Sequence, residues 1–226
     1  YANVDINPIT KSNADDKTVD LTLDIHKGEP VYIERVNIAG NINTRDKVIR
    51  REVEVEEGEL YSSTGIKRSR NNLKRLGYFE DVEITTQPGS AENKMVVDVE
   101  VKERPTGAFS VGAGYSSADN FIATASVTQK NLFGTGKMLD LSATVSGSSQ
   151  KYNLSFTEPW LFDKPIAAGI DLFNQSKEWP DFTRKSNGFD LRLGFPVYKR
   201  DTRGYLTYKL EKVEVTDIAS NASTLI

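Results

Sequence analysis

The hydrophobic period of this chain changes once, near Thr106, and that change limits the fold more than any other feature of the sequence. From there on, apolar residues recur at every second position: Phe109, Val111, Ala113 and Tyr115 alternate with Ser110, Gly112 and Gly114. A two-residue period marks a strand with two unlike faces. Where strand follows strand in this way and the second parity is small or polar, the pattern is that of a transmembrane β-barrel wall, with lipid outside and water or protein inside. A soluble β-sandwich writes the same alternation, so the pattern alone leaves it open.

A hydrophobic content of 38% does not argue against a membrane, because only one face of each barrel strand meets lipid. No run of about eighteen or more apolar residues occurs, so a transmembrane helix is excluded and a spanning segment has to be a closed barrel. The net charge of -3 gives no reason to expect a nucleic acid partner. With no cysteine there is neither a disulfide framework nor thiolate chemistry. Tyr1-Ala2-Asn3-Val4 already reads as a strand, so the chain is expected to start without a signal peptide.

An internal repeat precedes the change of period. Val4 and Ile6, a polar turn, and then Val19, Leu21, Leu23 and Ile25 write a hairpin. The same writing returns at Val82 and Ile84, a Pro-Gly-Ser turn, and Met95, Val97, Val99 and Val101. Val4 and Val82 are 78 positions apart, Val19 and Met95 76, which points to a tandem module. Residues 1–27 are then the closing hairpin of one copy and residues 28–104 a complete second copy. Inside that copy Val31 to Ile38 reads as a strand. A helix capped by Thr44 is expected through Ile49 and Val53, and a second from Ser62 or Ser63 through Ile66, Leu73 and Leu76 to a stop at Gly77. Strands at 79–86 and 94–103 complete a β-α-α-β-β unit. Its sheet is expected to be antiparallel, with a polar face at Asp98, Glu100 and Lys102.

Seven further strands are legible, at about 106–116, 121–130, 137–146, 150–158, 164–177, 183–195 and 202–216. Each is near or beyond the nine to eleven residues that a tilted spanning strand needs. The short connections 131–136 and 159–163 carry Phe133, Trp160 and Phe162, as a periplasmic interface girdle does. No catalytic or metal constellation is present. The single histidine, His26, has no cysteine or second histidine to share a metal with, and the acidic pairs Asp15-Asp16 and Glu56-Glu57 read as solvated turns.

These residues resemble the BamA family of outer-membrane protein assembly factors, whose periplasmic modules are POTRA domains. The module motifs are Val36-Asn37-Ile38-Ala39-Gly40-Asn41, Val48-Ile49-Arg50-Arg51-Glu52, Glu57-Gly58 and the stretch from Leu73 to Phe79. The junction Val101 to Gly107, the strand end Gly112 to Ser116, and the turns Asn131 to Gly136 and Thr157 to Trp160 follow in family order. The fold so implied is α+β, a POTRA module (β-α-α-β-β) followed by an incomplete antiparallel transmembrane β-barrel at 105–226. Family members have sixteen barrel strands, so the chain is expected to be a fragment, and Ser223 to Ile226 does not read as a closing strand.

The resemblance implies insertion of unfolded outer-membrane proteins into the bacterial outer membrane, with POTRA modules in the periplasm binding clients by β-augmentation. It implies outer-membrane lipids and periplasmic lipoprotein subunits as partners, and no cofactor or enzymatic step. Its first barrel strand, Phe109, Ser110, Val111, Gly112, Ala113, Gly114 and Tyr115, is the expected client-pairing edge, because its glycines weaken packing and an open edge templates another strand. Relief of crowding in the lumen explains the same glycines. Arg50, Arg51 and Glu52 are a candidate docking surface for the lipoprotein partner, although a solvated helix face accounts for them as well. The rival function is a POTRA-bearing conduit for a secreted polypeptide.

Overall fold

The structure is a computed structural model that describes residues 4–13, 17–198 and 202–220, and it divides into two compact units, 1–104 and 105–226. Tyr1 to Asn3, Asp15-Asp16, Ser223 to Ile226 and the side chain of His26 lie outside the described residues.

The first unit opens with an antiparallel hairpin, β1 (Val4–Asn13) and β2 (Thr18–Lys27). A three-stranded sheet follows, built from β3 (Tyr32–Ala39), β4 (Phe79–Pro88) and β5 (Lys94–Glu103) in the order β3-β5-β4. Two helices, α1 (Asp46–Arg50) and α2 (Ser63–Leu76), lie between β3 and β4 in sequence. The sheet is mixed rather than antiparallel, because β3 pairs parallel to β5. A crossover through two helices returns the chain in the same direction, whereas the short turn after β4 reverses it. Val97, Val99 and Val101 of β5 point into a core with Ile33, Val36, Val48, Ile49, Ile66 and Leu73, while Glu100 and Lys102 are exposed on the other face.

Local chemistry fixes the helix ends. Ser62 caps α2 by accepting a hydrogen bond from the Gly65 amide at 3.0 Å, and Gly77 ends it in left-handed backbone at φ 71°. Thr44 does not cap α1; the cap position is Arg45, without a side-chain bond, and the helix stops at Arg50, short of Val53. Glu103 does the work expected of Thr44 by tying down the entry loop, accepting from the Thr44 amide at 2.6 Å and the Asn43 amide at 3.0 Å. Val53 and Val55 follow outside the helix and are both buried. Gly40, at φ 84°, is required by close approach, since a Cβ there would lie 1.9 Å from the Val101 carbonyl oxygen.

The β1–β2 hairpin repeats the writing of β4–β5 without its cover. Leu21 and Leu23 of β2 are 60% and 52% exposed, where the corresponding Val97 and Val99 are 0% and 1%.

The second unit is one antiparallel meander: β6 (Gly107–Ser116), β7 (Asn120–Leu132), β8 (Lys137–Ser146), β9 (Ser149–Glu158), β10 (Ala167–Trp179), β11 (Phe182–Tyr198) and β12 (Thr202–Thr216). Each strand pairs with its sequence neighbours, so the sheet order is the chain order. The registers carry one apolar row across all seven strands, Phe109, Val127, Leu141, Leu154, Leu172, Phe189 and Leu210. In β7 the apolar parity Phe121, Ala123, Ala125 and Val127 is exposed, and the alternating Ile122, Thr124, Ser126 and Thr128 are more enclosed. Every buried hydrophobic side chain among the described residues belongs to the first unit. A sandwich would have buried one apolar face of this sheet against another; the outward apolar face is what a lipid-facing wall requires.

Candidate functional site

Strand β6 stands at one end of the seven-strand order and is paired only to β7, from Gly107 opposite Gln129 to Ser116 opposite Asn120. Its second edge is unpaired among the described residues, and every residue from Gly107 to Tyr115 is exposed. Phe109, Val111, Ala113 and Tyr115 form the outward parity, while Ser110, Gly112 and Gly114 lie on the other. A Cβ added at Gly112 or Gly114 meets no atom within 4 Å, so nothing in this chain crowds either glycine. Between β6 and β7 the Ser110 and Ser126 hydroxyls share a hydrogen bond at 2.7 Å, and just before β6 Thr106 Oγ1 accepts from Gln129 Nε2 at 3.0 Å.

The strands further along the sheet are tied more firmly. On the enclosed parity the Arg192 guanidinium of β11 donates to Asp171 Oδ1 at 2.9 Å, Ser155 Oγ at 3.1 Å and Thr157 Oγ1 at 3.1 Å, joining β9, β10 and β11. Thr128 donates to Asp140 Oδ1 at 2.6 Å between β7 and β8. The sequence shows these charges on the lumenal parity, but their pairing follows from the register, which alternation alone does not fix.

Edge chemistry bears on β6 as well. Proteins block edges with charge, proline or bulges. Strand β6 has 10 residues, no charge, no proline and an unbroken register. Its outer edge thus carries none of these guards. No group of three or more metal-ligating side chains occurs among the described residues.

The residues 50–52 are placed differently from β6. Arg50 is exposed but engaged, its Nε 3.0 Å from Asp46 Oδ2, its Nη1 3.8 Å from Glu57 Oε1 and its Nη2 3.5 Å from the Val36 carbonyl. Glu57 also accepts from the Val36 amide at 3.0 Å, so this pair fastens the outer edge of β3. Arg51 and Glu52 are half-buried beyond the end of α1, and the Glu52 carbonyl accepts from Asn72 Nδ2 at 3.2 Å.

Comparison with known proteins bears on both units. Residues 31–104 match the POTRA family model, described as a surface antigen variable number repeat, and residues 131–226 match the Omp85 superfamily domain. The outer membrane protein assembly factor BamA of Nitratidesulfovibrio vulgaris is 34% identical over all of this chain and 28% of its own length. That of Neisseria meningitidis serogroup B is 31% identical over 89% of this chain and 26% of its own. Among solved structures, BamA from Haemophilus ducreyi lacking POTRA domains 1–3 superposes with a TM-score of 0.75 at 28% identity, over 95% of this chain and 42% of that one. The chain thus spans about a quarter of the length of the curated relatives it matches.

Proposed function

The chain belongs to the Omp85 superfamily of outer-membrane β-barrels with periplasmic POTRA domains, and from that premise we propose that it is part of a machine that inserts β-barrel proteins into the bacterial outer membrane. In this reading residues 28–104 are the POTRA module adjacent to the barrel, residues 1–27 close a preceding module, and residues 105–226 begin the barrel. The bare apolar face of β1–β2 supports the second assignment, because the same face of β4–β5 is covered by its own helices.

The observation that carries the function is the unguarded edge of β6. A client strand arriving there gains backbone partners that lipid cannot supply, and each further strand it adds satisfies the previous one until its own barrel closes. The free energy comes from client folding, so neither a cofactor nor a covalent step enters. Residues 109–115 act through their backbone groups. Gly112 and Gly114 contribute no side-chain packing, which leaves the strand easy to separate from a neighbour. Unfolded outer-membrane proteins are the clients, outer-membrane lipids surround the apolar row, and nucleic acid has no part. A periplasmic lipoprotein subunit is the partner assigned to the module, with Arg50, Arg51 and Glu52 at its docking surface. Since Arg50 is committed to Asp46 and Glu57, the charge offered there belongs to this cluster as a whole.

A reversible tether tests the edge. In the full-length protein, a disulfide between Gly112→Cys and a cysteine at the facing position of the closing strand should block client insertion, and reductant should restore it. Undiminished insertion with the seam fully crosslinked would remove β6 as the entry point and favour a conduit that passes polypeptide through the lumen.

A further inference from the structure

An edge strand turns the N–H and C=O of every second residue outward, so each edge of a sheet is a place where another strand can pair. The module's sheet has two such edges, β3 and β4, because β5 lies between them. On both, groups that an incoming strand needs are already taken by the chain itself.

At β3, Ile33 donates its amide to the Glu59 carbonyl at 2.9 Å and accepts from the Gly58 amide at 2.7 Å. Val36 meets side chains instead of backbone. Its amide donates to Glu57 Oε1 at 3.0 Å, and its carbonyl accepts from Arg50 Nη2 at 3.5 Å. The carboxylate and the guanidinium, 3.8 Å apart, stand where the C=O and N–H of a neighbouring strand would stand. A register shift between Ile33 and Arg35 interrupts the edge further. At β4 the Val82 amide donates to Asp81 Oδ1 at 2.8 Å, and the Ile84 carbonyl accepts from Arg70 Nη2 at 3.1 Å. Lys74, one turn after Arg70 on α2, lies 3.6 Å from the same Asp81 oxygen. Pro88 ends the strand without a donor, and a second register shift separates Phe79 from Asp81.

We propose that Arg50, Glu57, Arg70 and Asp81 are specificity-determining guards that refuse extended client segments along both edges of this sheet, so that pairing starts at β6. Strand addition at Val36 has to displace an ion pair from its backbone partners. Addition at Ile84 has to strip a guanidinium whose buried Nε has no hydrogen-bond partner among the described residues. Strand β6 carries no such device, with an unbroken register, no proline and no charged side chain. The β-augmentation that the family resemblance implies is thereby closed to this module while its guards are in place. The proposal rests on the reading of β6 as the entry point and adds to it the edges that are refused.

Disulfide trapping of a strand peptide tests the guards and the entry point separately. The probe is a synthetic peptide of residues 137–146 with Ser142→Cys, a barrel strand of the kind the clients carry. The full-length protein, freed of other cysteines and held in detergent micelles, receives one acceptor at a time: Asn37→Cys on β3, Thr85→Cys on β4 or Ala113→Cys on β6. With the guards in place, trapping should occur at Ala113→Cys and stay at background at the other two. Arg50→Ala with Glu57→Ala should raise trapping at Asn37→Cys, and Arg70→Met with Asp81→Ala at Thr85→Cys, each about tenfold, as expected for one to two hydrogen bonds. A peptide N-methylated throughout keeps its side chains but has no N–H to donate, and it should be trapped nowhere. Trapping on the module that survives methylation would mean that the substitutions loosened the fold, and the proposal would fail. Equal trapping on the module before and after removal of the guards, whether high or low, would overturn it as well. Guard-dependent trapping at Asn37→Cys and Thr85→Cys with none at Ala113→Cys would keep the guards and remove β6 as the entry point.

Discussion

Glu103 shows how one carboxylate stabilises the loop that enters α1. Burial by itself would raise its pKa, but the hydrogen bonds from Thr44 and Asn43 outweigh that effect and hold it below the ordinary glutamate value. A lowered folded pKa means the native state favours the ionised form, so this stabilisation is present above the unfolded pKa of about 4.3 and is lost as pH falls through the folded value. Glu103→Gln should therefore lower the stability of the module at neutral pH by about 1.5–3 kcal/mol, the range for hydrogen bonds to a charged group, and flatten its acid-unfolding curve. Chemical denaturation followed from neutral pH into the acid limb checks both effects. In the second unit, residue chemistry depends on parity. Leu141 faces outward beside Val127 and Leu154, while Ser142 lies between Ser126 and Asn153 on the enclosed side. Leu141→Arg should cost about 2–4 kcal/mol near the bilayer midplane and Ser142→Arg much less. Folding titrations into vesicles measure the difference, and equal tolerance would contradict the assignment of faces.

At the scale of elements, the module carries its own core, with its helices packed on one face of its sheet. Residues 28–104 expressed alone should be soluble and melt cooperatively, and an insoluble or unfolded product in water would count against that boundary. The strands were legible because their period is two and their turns are short; all seven at 107–216 fall within a few residues of the positions the alternation marks. Helix α2 was legible from Ser62 and Gly77, which act at its two ends as their residue types predict. The end of α1 was not. Thr44 has the right residue type for a cap, but Glu103, 59 positions away in sequence, takes the loop amides instead. Parallel pairing of β3 with β5 was hidden for the same reason, since long-range partners leave no local period. The candidate edge was visible as a glycine-containing strand, but the open space beside Gly112 and Gly114 is a property of neighbours and needed coordinates. The Lys137–Glu158 ion pair sits at the open end of the β8–β9 hairpin, where the register sets the first residue of β8 opposite the last of β9.

Taken whole, the molecule is written for two solvents. Within its first unit the sheet of β3, β4 and β5 and its helices hide aliphatic side chains from water, and its second unit turns them outward, where only an apolar phase gives them a lower free energy than water does. The absence of any buried hydrophobic side chain from the seven-strand sheet has a consequence for how such a protein comes into being. The POTRA module acquires its structure on reaching an aqueous compartment, whereas the barrel strands stay uncommitted polypeptide until a bilayer accepts them. Each newly made copy therefore arrives in the same condition as the proteins it is proposed to insert. Under the proposed function the machinery would be its own client, and a cell that lost every working copy would have no means of installing the next.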